Sequence, residues 1–323
     1  QGAGFKMRFV MTDLNITNHE IKQPVKFVMQ KNIYEPSTSA SIVFPADEKF
    51  EPKYLNVYDD NSNQLFTGFT DKVYSYMNDD GKYMEVSARS RGALLADNEA
   101  IPRSFPYNTF VMNYYETYIQ KYGINYKKAI NASTLLPTEI YKGSSEWEGL
   151  CIIVWFAYGC SPDVDEDNLI VFDPDFLSTT HTFSNSSDNG IKFSQISYTD
   201  DRYKRYSQIW GISEVSGEYV LMASDSNEAA QMINRRKLMN YPNTQEAANM
   251  QLCDYELNLC NSDTRFYTVR VPGYKHFLTW EKAAINDSMF GSRSDLFIAS
   301  VKHVIDQTGE YTEVELRPTS TKY

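Results

Sequence analysis

The sequence is poor in the residues that build disulfide scaffolds and metal sites. It has 4 cysteines and 4 histidines in 323 residues. Four cysteines are too few to cross-link a chain of this length, so we interpret them as reduced thiols of a protein made in the bacterial cytoplasm. None of the histidines lies at metal-ligand spacing with another histidine or with a cysteine pair. We therefore predict no metal site.

Long hydrophobic runs and excess positive charge are missing as well. The longest apolar run, residues 150–160, is well short of the roughly 18 residues that a membrane span needs. This length predicts no membrane insertion, and no secretory signal is recognisable. The formal net charge is −11, and residues 98–182 carry much of the acidic excess. Such a charge disfavours a general nucleic-acid binder.

Motifs for catalysis or cofactor binding are not found in the sequence. It has no G-x-S-x-G, no phosphate-binding loop and no H-E-x-x-H. The stretch "DVDEDN" at 163–168 resembles the start of a calcium loop, but Asn168 and Pro174 stand where that loop needs Gly and Glu. We interpret it as an acidic hairpin turn. We therefore predict no catalytic residue and no cofactor.

Two other features admit a functional interpretation. Cys151 and His181 could form a nucleophile and base, but Cys151 lies in an apolar stretch, where a buried thiol is inert. Residues 201–206 and 234–239 are basic clusters that could contact nucleic acid. In an acidic chain we prefer a solvated face, or an ion-pair partner for a neighbouring subunit.

The first region of the chain alternates with the period of β-strands. Residues 5–97 contain six short β runs, and residues 59–62 and 78–81 are turn sequences. The chain is also rich in aromatic residues that favour strands, with 24 Tyr and 18 Phe. This pattern predicts a small β-barrel or sandwich domain over residues 1–97.

The period changes to helical in the middle of the chain and then returns to β. Helices are predicted over 108–123 and 144–159, the second with a capping box of Ser145 and Glu148. With a returning strand, this predicts a small α+β domain over 98–182. A second β-barrel domain is predicted over 183–323, with a helical insertion at about 225–262 that includes helices over 225–239 and 243–260, the first capped by Asp225 and Glu228. The fold class is therefore mainly β, with two barrels flanking an α+β insert.

Residues 65–100 contain phrases that resemble a known family. The phrases are "TGFTDKV" at 67–73, and "VSARSR" at 86–91 followed by Leu95 and Asp97. They are similar to the N-terminal barrel of the baseplate hub proteins of contractile phage tails, in particular the Mu-type hub and late-control D proteins, which are related to the hub domains of type VI spikes. The matching positions with an implied structural role are Gly68, Asp71, Arg89 and Ser90.

The resemblance continues along the chain in the same order. "GSSEWEGL" resembles the helix phrase of that family, "RYSQIWG" a strand phrase, and "VRVPGY" with the following Trp a third phrase. Glycine is sparser in the third region than that family leads one to expect. The structural positions implied by these phrases are Trp147, Leu150, Arg205, Tyr206, Gly211, Gly273 and Trp280.

The resemblance implies a non-enzymatic hub with tube-protein-like barrels. Such a hub is a homotrimer whose two barrels per chain form a pseudo-sixfold ring. The implied partners are the tail tube protein, the spike protein and other baseplate proteins, within a virion or a tail-like particle. DNA would be only a passing cargo, and a net negative charge suits such a conduit.

Two other classes of function remain open from the sequence. One is a cell-wall hydrolase or peptidase of a tail tip, which would need acid pairs or a Cys–His pair in a pocket. The other is a glycan-binding β protein, whose tyrosines would gather in an exposed cleft. The sequence also leaves open a phage, a tail-like bacteriocin or another injection system, and a contractile or a long flexible tail.

Overall fold

A computed structural model describes residues 7–46, 50–230, 232–240 and 246–321. Strands dominate the chain and helices are few, which confirms the predicted fold class of mainly β structure with an α and β insert. None of the helices in the described ranges is long and apolar enough to cross a membrane.

Seven strands form the first β region, and neighbouring strands within it are antiparallel. Along β3, β4 and β7, buried and more exposed side chains alternate, as expected for strands with one face on a core. The turn predicted at 78–81 is present, with Asn78 paired to Gly81. The strands are β1 (Met7–Asp13), β2 (Asn18–Ile21), β3 (Lys26–Asn32), β4 (Ser39–Pro45), β5 (Pro52–Asp59), β6 (Gln64–Asn78) and β7 (Gly81–Arg89).

The middle region combines short helices with two small strand pairs and three isolated β-bridges among its described residues. Its core is made by apolar side chains of the helices, including Val111, Leu150 and Val154. Its elements are α1 (Ala93–Asp97), β8 (Arg103–Phe105), α2 (Val111–Tyr114), a π-helical turn (Tyr115–Ile119), a 3-10 turn (Gln120–Tyr122), β9 (Thr138–Ile140), α3 (Glu146–Tyr158), β10 (Asp163–Val164) and β11 (Ile170–Val171).

The two predicted helices of this region are present. The first is helical from Val111 to Tyr122 and ends at Gly123, whose φ of 68° suits glycine. It begins later than predicted because Phe110 is extended. The second has the predicted capping box: Ser145 Oγ accepts from the Glu148 amide, and the Glu148 carboxylate accepts from the Ser145 amide.

The third region returns to β structure and carries a small separate sheet. Its elements are β12 (Leu177–Phe183), β13 (Gln195–Asp200), β14 (Gln208–Ile212), β15 (Tyr219–Ser224), α4 (Ser226–Ala230), β16 (Arg236–Met239), α5 (Glu246–Ser262), β17 (Arg265–Pro272), β18 (Glu281–Asp287), β19 (Gly291–Asp306), β20 (Gly309–Pro318) and a 3-10 turn (Thr319–Thr321).

The helix predicted over 225–239 is wrong beyond its first turn. Of the residues that the structure describes in this range, Ser226–Ala230 is helical and Arg236–Met239 forms β16, parallel to β14. Asp225 does accept from the amides of Asn227 and Glu228. The Glu228 carboxylate, however, binds Arg205 and Arg265 instead of returning to the Asp225 amide. The helix predicted over 243–260 corresponds to α5, and residues 243–245 lie outside the described residues.

A single large sheet contains strands from both β regions. Its main path runs β13-β17-β20-β19-β3-β4-β7-β6-β5-β1-β2, and β12 and β18 attach through β19. The joining contact is between β19 and β3, which pair antiparallel from Ser300 to Ile305. The Ile305 side chain belongs to the core of the first region. The two β regions therefore share a sheet and exchange core residues.

Candidate functional site

The Cys151–His181 pair does not form in the structure. Cys151 is buried in the core of the middle region, and this burial raises the pKa of its thiol. His181 lies on β12, where its Nε2 is 2.8 Å from Oε2 of Glu281. A buried, protonated thiol without a base beside it does not act as a nucleophile.

The acidic stretch at 163–168 forms a hairpin turn, as the sequence predicts. Asp165 holds the turn, because its carboxylate accepts from the amides of Asp167 and Leu169. Asn168 takes the left-handed conformation with φ 59°. In the ranges that the structure describes, no group of three His, Cys, Asp or Glu side chains is arranged to hold a metal ion.

Three of the residues in the first family-like segment meet in one ion cluster. The Arg89 guanidinium donates to Asp71, with Nε 2.7 Å from Oδ2, and to Asp97, with Nη2 2.8 Å from Oδ2. The bonds to Asp71 first and then to Asp97 raise the pKa of Arg89. Forked, charge-assisted bonds of this kind fix the orientation of both partners. The cluster fastens β6, β7 and α1 to one another.

Gly68 and Ser90 support the same part of the fold. A Cβ added at Gly68 would lie 2.6 Å from the carbonyl oxygen of Arg89, so only glycine permits this approach. Ser90 is buried, and its hydroxyl accepts from the Thr38 amide at 3.0 Å. Both positions hold backbone segments together.

A buried ion pair connects the first and middle regions, and a tryptophan of the third region joins it. Lys31 Nζ lies 2.8 Å from Oδ1 of Asp163, and Trp280 Nε1 donates to Oδ2 of Asp163 at 2.8 Å. Both charged side chains are less than a tenth exposed. Trp280 also has a left-handed backbone with φ 68° and stacks on Phe297 with ring centroids 5.4 Å apart. Such backbone strain persists only where the surroundings enforce it. No sequence signal indicates Lys31, and Asp163 is predicted only as part of an acidic turn.

A second buried network involves Arg205. Its side chain is fully buried and binds the carboxylates of Asp200 and Glu228. Arg265 binds Glu228 from a neighbouring strand. Desolvation raises the pKa of Glu228, and the charge of Arg205 opposes this shift. The network fixes the small sheet unit to the end of β13.

Tyr206 and Gly211 position α5 against the small sheet. The Tyr206 amide and carbonyl both bond to the Asn261 side chain, at 2.9 and 2.8 Å. A Cβ at Gly211 would lie 3.2 Å from Sγ of Cys253 on α5. The helix therefore lies closely on β14.

Trp147, Leu150 and Gly273 have local structural positions. Trp147 and Leu150 are buried on α3 in the core of the middle region. Gly273 follows β17 with φ 73°, and its amide donates to the Glu310 carbonyl at 2.8 Å. The family-like residues are thus distributed over several junctions rather than gathered in one pocket.

The basic clusters are engaged within the chain. In the first cluster Arg205 is buried, and Lys204 lies 3.7 Å from Asp201. In the second, Lys237 binds Glu256, and Arg235 donates to the carbonyl of Arg202. These pairs occur inside one chain, whereas the sequence analysis predicts a solvated face or an ion-pair partner for a neighbouring subunit. Arg236 is the exception and is considered below.

The exposed hairpin of β6 and β7 is a candidate assembly surface. Beyond Phe69, β6 pairs with β7 only, because its pairing with β5 ends at that residue. Tyr74, Tyr76 and Tyr83 stack in sequence, with centroids 5.4 and 5.5 Å apart. Met77 near the tip is 74% exposed. A rigid hairpin with a free edge and exposed apolar side chains is suited to contact another protein chain.

The fold is that of phage and prophage tail proteins. The chain is similar to the tail protein of Neisseria meningitidis MC58, with 16% identity, 99% of this chain and 98% of that chain covered, and a TM-score of 0.71. It is similar to the 43 kDa tail protein of prophage MuSo2 from Shewanella oneidensis, with 13% identity, 98% and 100% covered, and a TM-score of 0.75.

A type VI secretion protein shares the fold over less of its length. The Escherichia coli c3393 protein, a component of that system with structural similarity to the T4 tail proteins gp27 and gp5, has 10% identity to this chain and a TM-score of 0.54. The similarity covers 92% of this chain and 73% of that chain. No protein-family model and no curated protein sequence matches the chain.

Proposed function

We propose that this protein is a structural, non-enzymatic hub of a phage tail or a related injection particle. The observation that carries the proposal is the end-to-end similarity of fold to two tail proteins, which covers nearly all of this chain and of each relative. The phrases that resemble contractile-tail hubs support it independently. They fall on residues that join strands and helices, which suits a structural component of a larger particle.

The proposed arrangement is a trimeric, pseudo-sixfold ring between the tail tube and the central spike. In this proposal the domains are residues 1–97, 98–182 and 183–323, and the first and third each contribute one β unit to the ring. The shared sheet through β3 and β19 supports it, because it would hold the two units of one chain in a fixed relation. Free strand edges that meet across copies would be removed in a closed ring.

The proposed partners follow from this position. The ring would contact the tail tube protein on one side, the spike protein on the other and further baseplate proteins at its rim. Its place would be the baseplate of a virion or tail-like particle. DNA would pass through without being bound, in keeping with the net charge of −11.

The mass of the purified chain in solution tests the proposal. We expect light scattering after size exclusion, at two concentrations, to give a species of about three times the chain mass of 37.2 kDa. Electron microscopy of that species should show a ring. A chain that stays monomeric at both concentrations, alone and with a tube or spike protein from the same source, would contradict the hub.

A further inference from the structure

The small sheet of the third region has one covered face and one open face. The covered face carries Ile209 and Gly211, against α5. On the opposite face, Trp210 of β14 is directly across from Leu221 of β15 and Leu238 of β16. Residues directly across from one another in a sheet share a face. These three side chains therefore form an apolar row, which we call the Trp210 row.

The Trp210 row is open to solvent and has a cation at its border. Leu221 is 48% exposed and Leu238 is 54% exposed. Arg236 lies over the Trp210 ring, with its guanidinium carbon 5.4 Å from the ring centroid. In the part of the chain that the structure describes, no carboxylate pairs with Arg236. A half-buried Trp and an exposed Arg beside exposed aliphatic side chains are a composition typical of an interface hot spot.

The composition of the row defines what would bind it. The occupant needs an apolar side chain for Trp210 and the leucines, and a carboxylate for Arg236. In a chain of net charge −11, most surfaces of two copies repel each other. The Trp210 row with its arginine is a place where an acidic second copy is attracted instead.

The tip of the β6–β7 hairpin has this complementary chemistry. Met77 is exposed, and Asp79 and Asp80 follow it in the turn. Neither aspartate forms an ion pair within the described ranges. The tyrosine stack at the base of the tip and the bond from the Asp80 amide to Asn78 Oδ1, at 3.0 Å, hold its shape. A methionine thioether packs well on an aromatic ring, and a carboxylate pairs with a guanidinium.

We propose that the hairpin tip of one copy docks on the Trp210 row of a second copy. Met77 would pack on Trp210, and Asp79 and Asp80 would face Arg236. The hairpin tip and the Trp210 row are different surfaces of the chain, so the contact is heterologous. Repeating it gives a closed ring when the rotation between neighbouring copies permits. The inference rests on the proposed hub function, to which it adds the contacting residues.

Charge exchange across this contact is the test. The variants are Arg236→Glu, the double variant Asp79→Lys/Asp80→Lys, and all three substitutions together. Each one-sided variant places like charges opposite one another, so we expect the concentration at which half the chain is assembled to rise about tenfold or more. The three substitutions together should restore most of the assembly. Light scattering across a concentration series gives these values.

A matched charge reversal and a folding check complete the design. Lys142→Glu changes an exposed lysine of the middle region and should leave assembly unchanged. At a concentration where no variant is assembled, circular dichroism should show the same unfolding temperature for all variants, because the changed side chains are exposed. A wild-type chain that assembles while Arg236→Glu assembles equally well would overturn this inference and leave the hub standing.

Two other results have separate meanings. Loss of assembly in Arg236→Glu without recovery in the combined variant would overturn the hairpin as occupant of the Trp210 row. A wild-type chain that is monomeric at every concentration, alone and with a tube or spike protein from the same source, would overturn both the ring of the proposed function and this contact.

Discussion

Single glycines decide how closely backbone segments approach in this fold. At Gly68 an added Cβ would be 2.4 Å from Cζ of Phe66 and 2.6 Å from the Arg89 carbonyl oxygen. The second of these neighbours is backbone, which cannot rotate away. Overpacking of a well-packed site typically costs about 1–3 kcal/mol.

We expect Gly68→Ala to lower the free energy of unfolding by about 2 kcal/mol, since the strands must separate to admit the methyl group. Chemical denaturation followed by circular dichroism measures it. Lys72→Ala on the same strand is the control. Lys72 is exposed, so this substitution should change the free energy of unfolding by no more than about 0.5 kcal/mol. Equal stability of the two variants would show that Gly68 has no steric role.

His303 makes stability depend on pH. It is buried on β19, its Nδ1 is 3.2 Å from Oγ1 of Thr312, and the Tyr274 ring is 4.9 Å away. Burial, with a smaller effect of His276, lowers the pKa of His303 from its ordinary 6.5 to about 3. Between these values the unfolded chain binds a proton that the folded chain excludes, so stability falls as the pH falls.

We expect the wild type to lose about 1.4 kcal/mol more stability per pH unit than His303→Gln, from below about pH 6 down to the folded pKa. Unfolding by urea at pH 7, 6, 5 and 4 gives the two slopes. Other titrating groups are common to both proteins and cancel in the difference. Parallel slopes would mean that the folded and the unfolded chain protonate His303 over the same pH range.

At the scale of elements, the helix α3 is specified by its own ends. Ser145 and Glu148 satisfy each other's amides at the start, and Gly159 at the end has φ 70°. An N-cap serine replaced by alanine typically costs about 1 kcal/mol. These signals are local in the chain, which explains why this helix could be predicted.

We expect Ser145→Ala to lower the free energy of unfolding by about 1 kcal/mol, because the Glu148 amide loses its acceptor. Ser144→Ala is the matched control one position earlier and should be nearly neutral. Urea denaturation measures the free energy of unfolding of both variants. A loss in Ser144→Ala as large as in Ser145→Ala would contradict the capping role.

The sequence could not specify β16 in the same way. Arg235, Arg236 and Lys237 have good helix propensity, and Asp225 provides a helix start that the structure uses for one turn. Strand pairing with β14 and the ion pair from Lys237 to Glu256 on α5 override that propensity. Both contacts involve residues outside the local segment, so no local sequence pattern predicts them.

At the scale of the molecule, the sequence predicted the fold class and the order of the regions but not their junctions. Arg89, Asp71 and Asp97 are near one another in the chain, and a family resemblance could indicate them. The partners of Asp163 are 132 and 117 residues away in sequence. The sequence places Asp163 only in an acidic hairpin turn, because a lone Lys, Asp and Trp carry no spacing that reveals a contact.

The contact of Asp163 with Lys31 and Trp280, which we call the Asp163 junction, should therefore affect the stability of all three regions. We expect Asp163→Asn to lower the free energy of unfolding by about 3–5 kcal/mol, because the buried Lys31 ammonium loses the carboxylate with which it forms its ion pair. Asparagine keeps one acceptor oxygen of the two, so the loss includes one acceptor, toward either Trp280 or Lys31 and the Val164 amide, as well as the charge. Adding Lys31→Met should recover most of it. Hydrogen exchange should show lost protection in β3, β10 and β18–β19 together in the single variant. Loss confined to β10 would mean that the junction does not couple the regions.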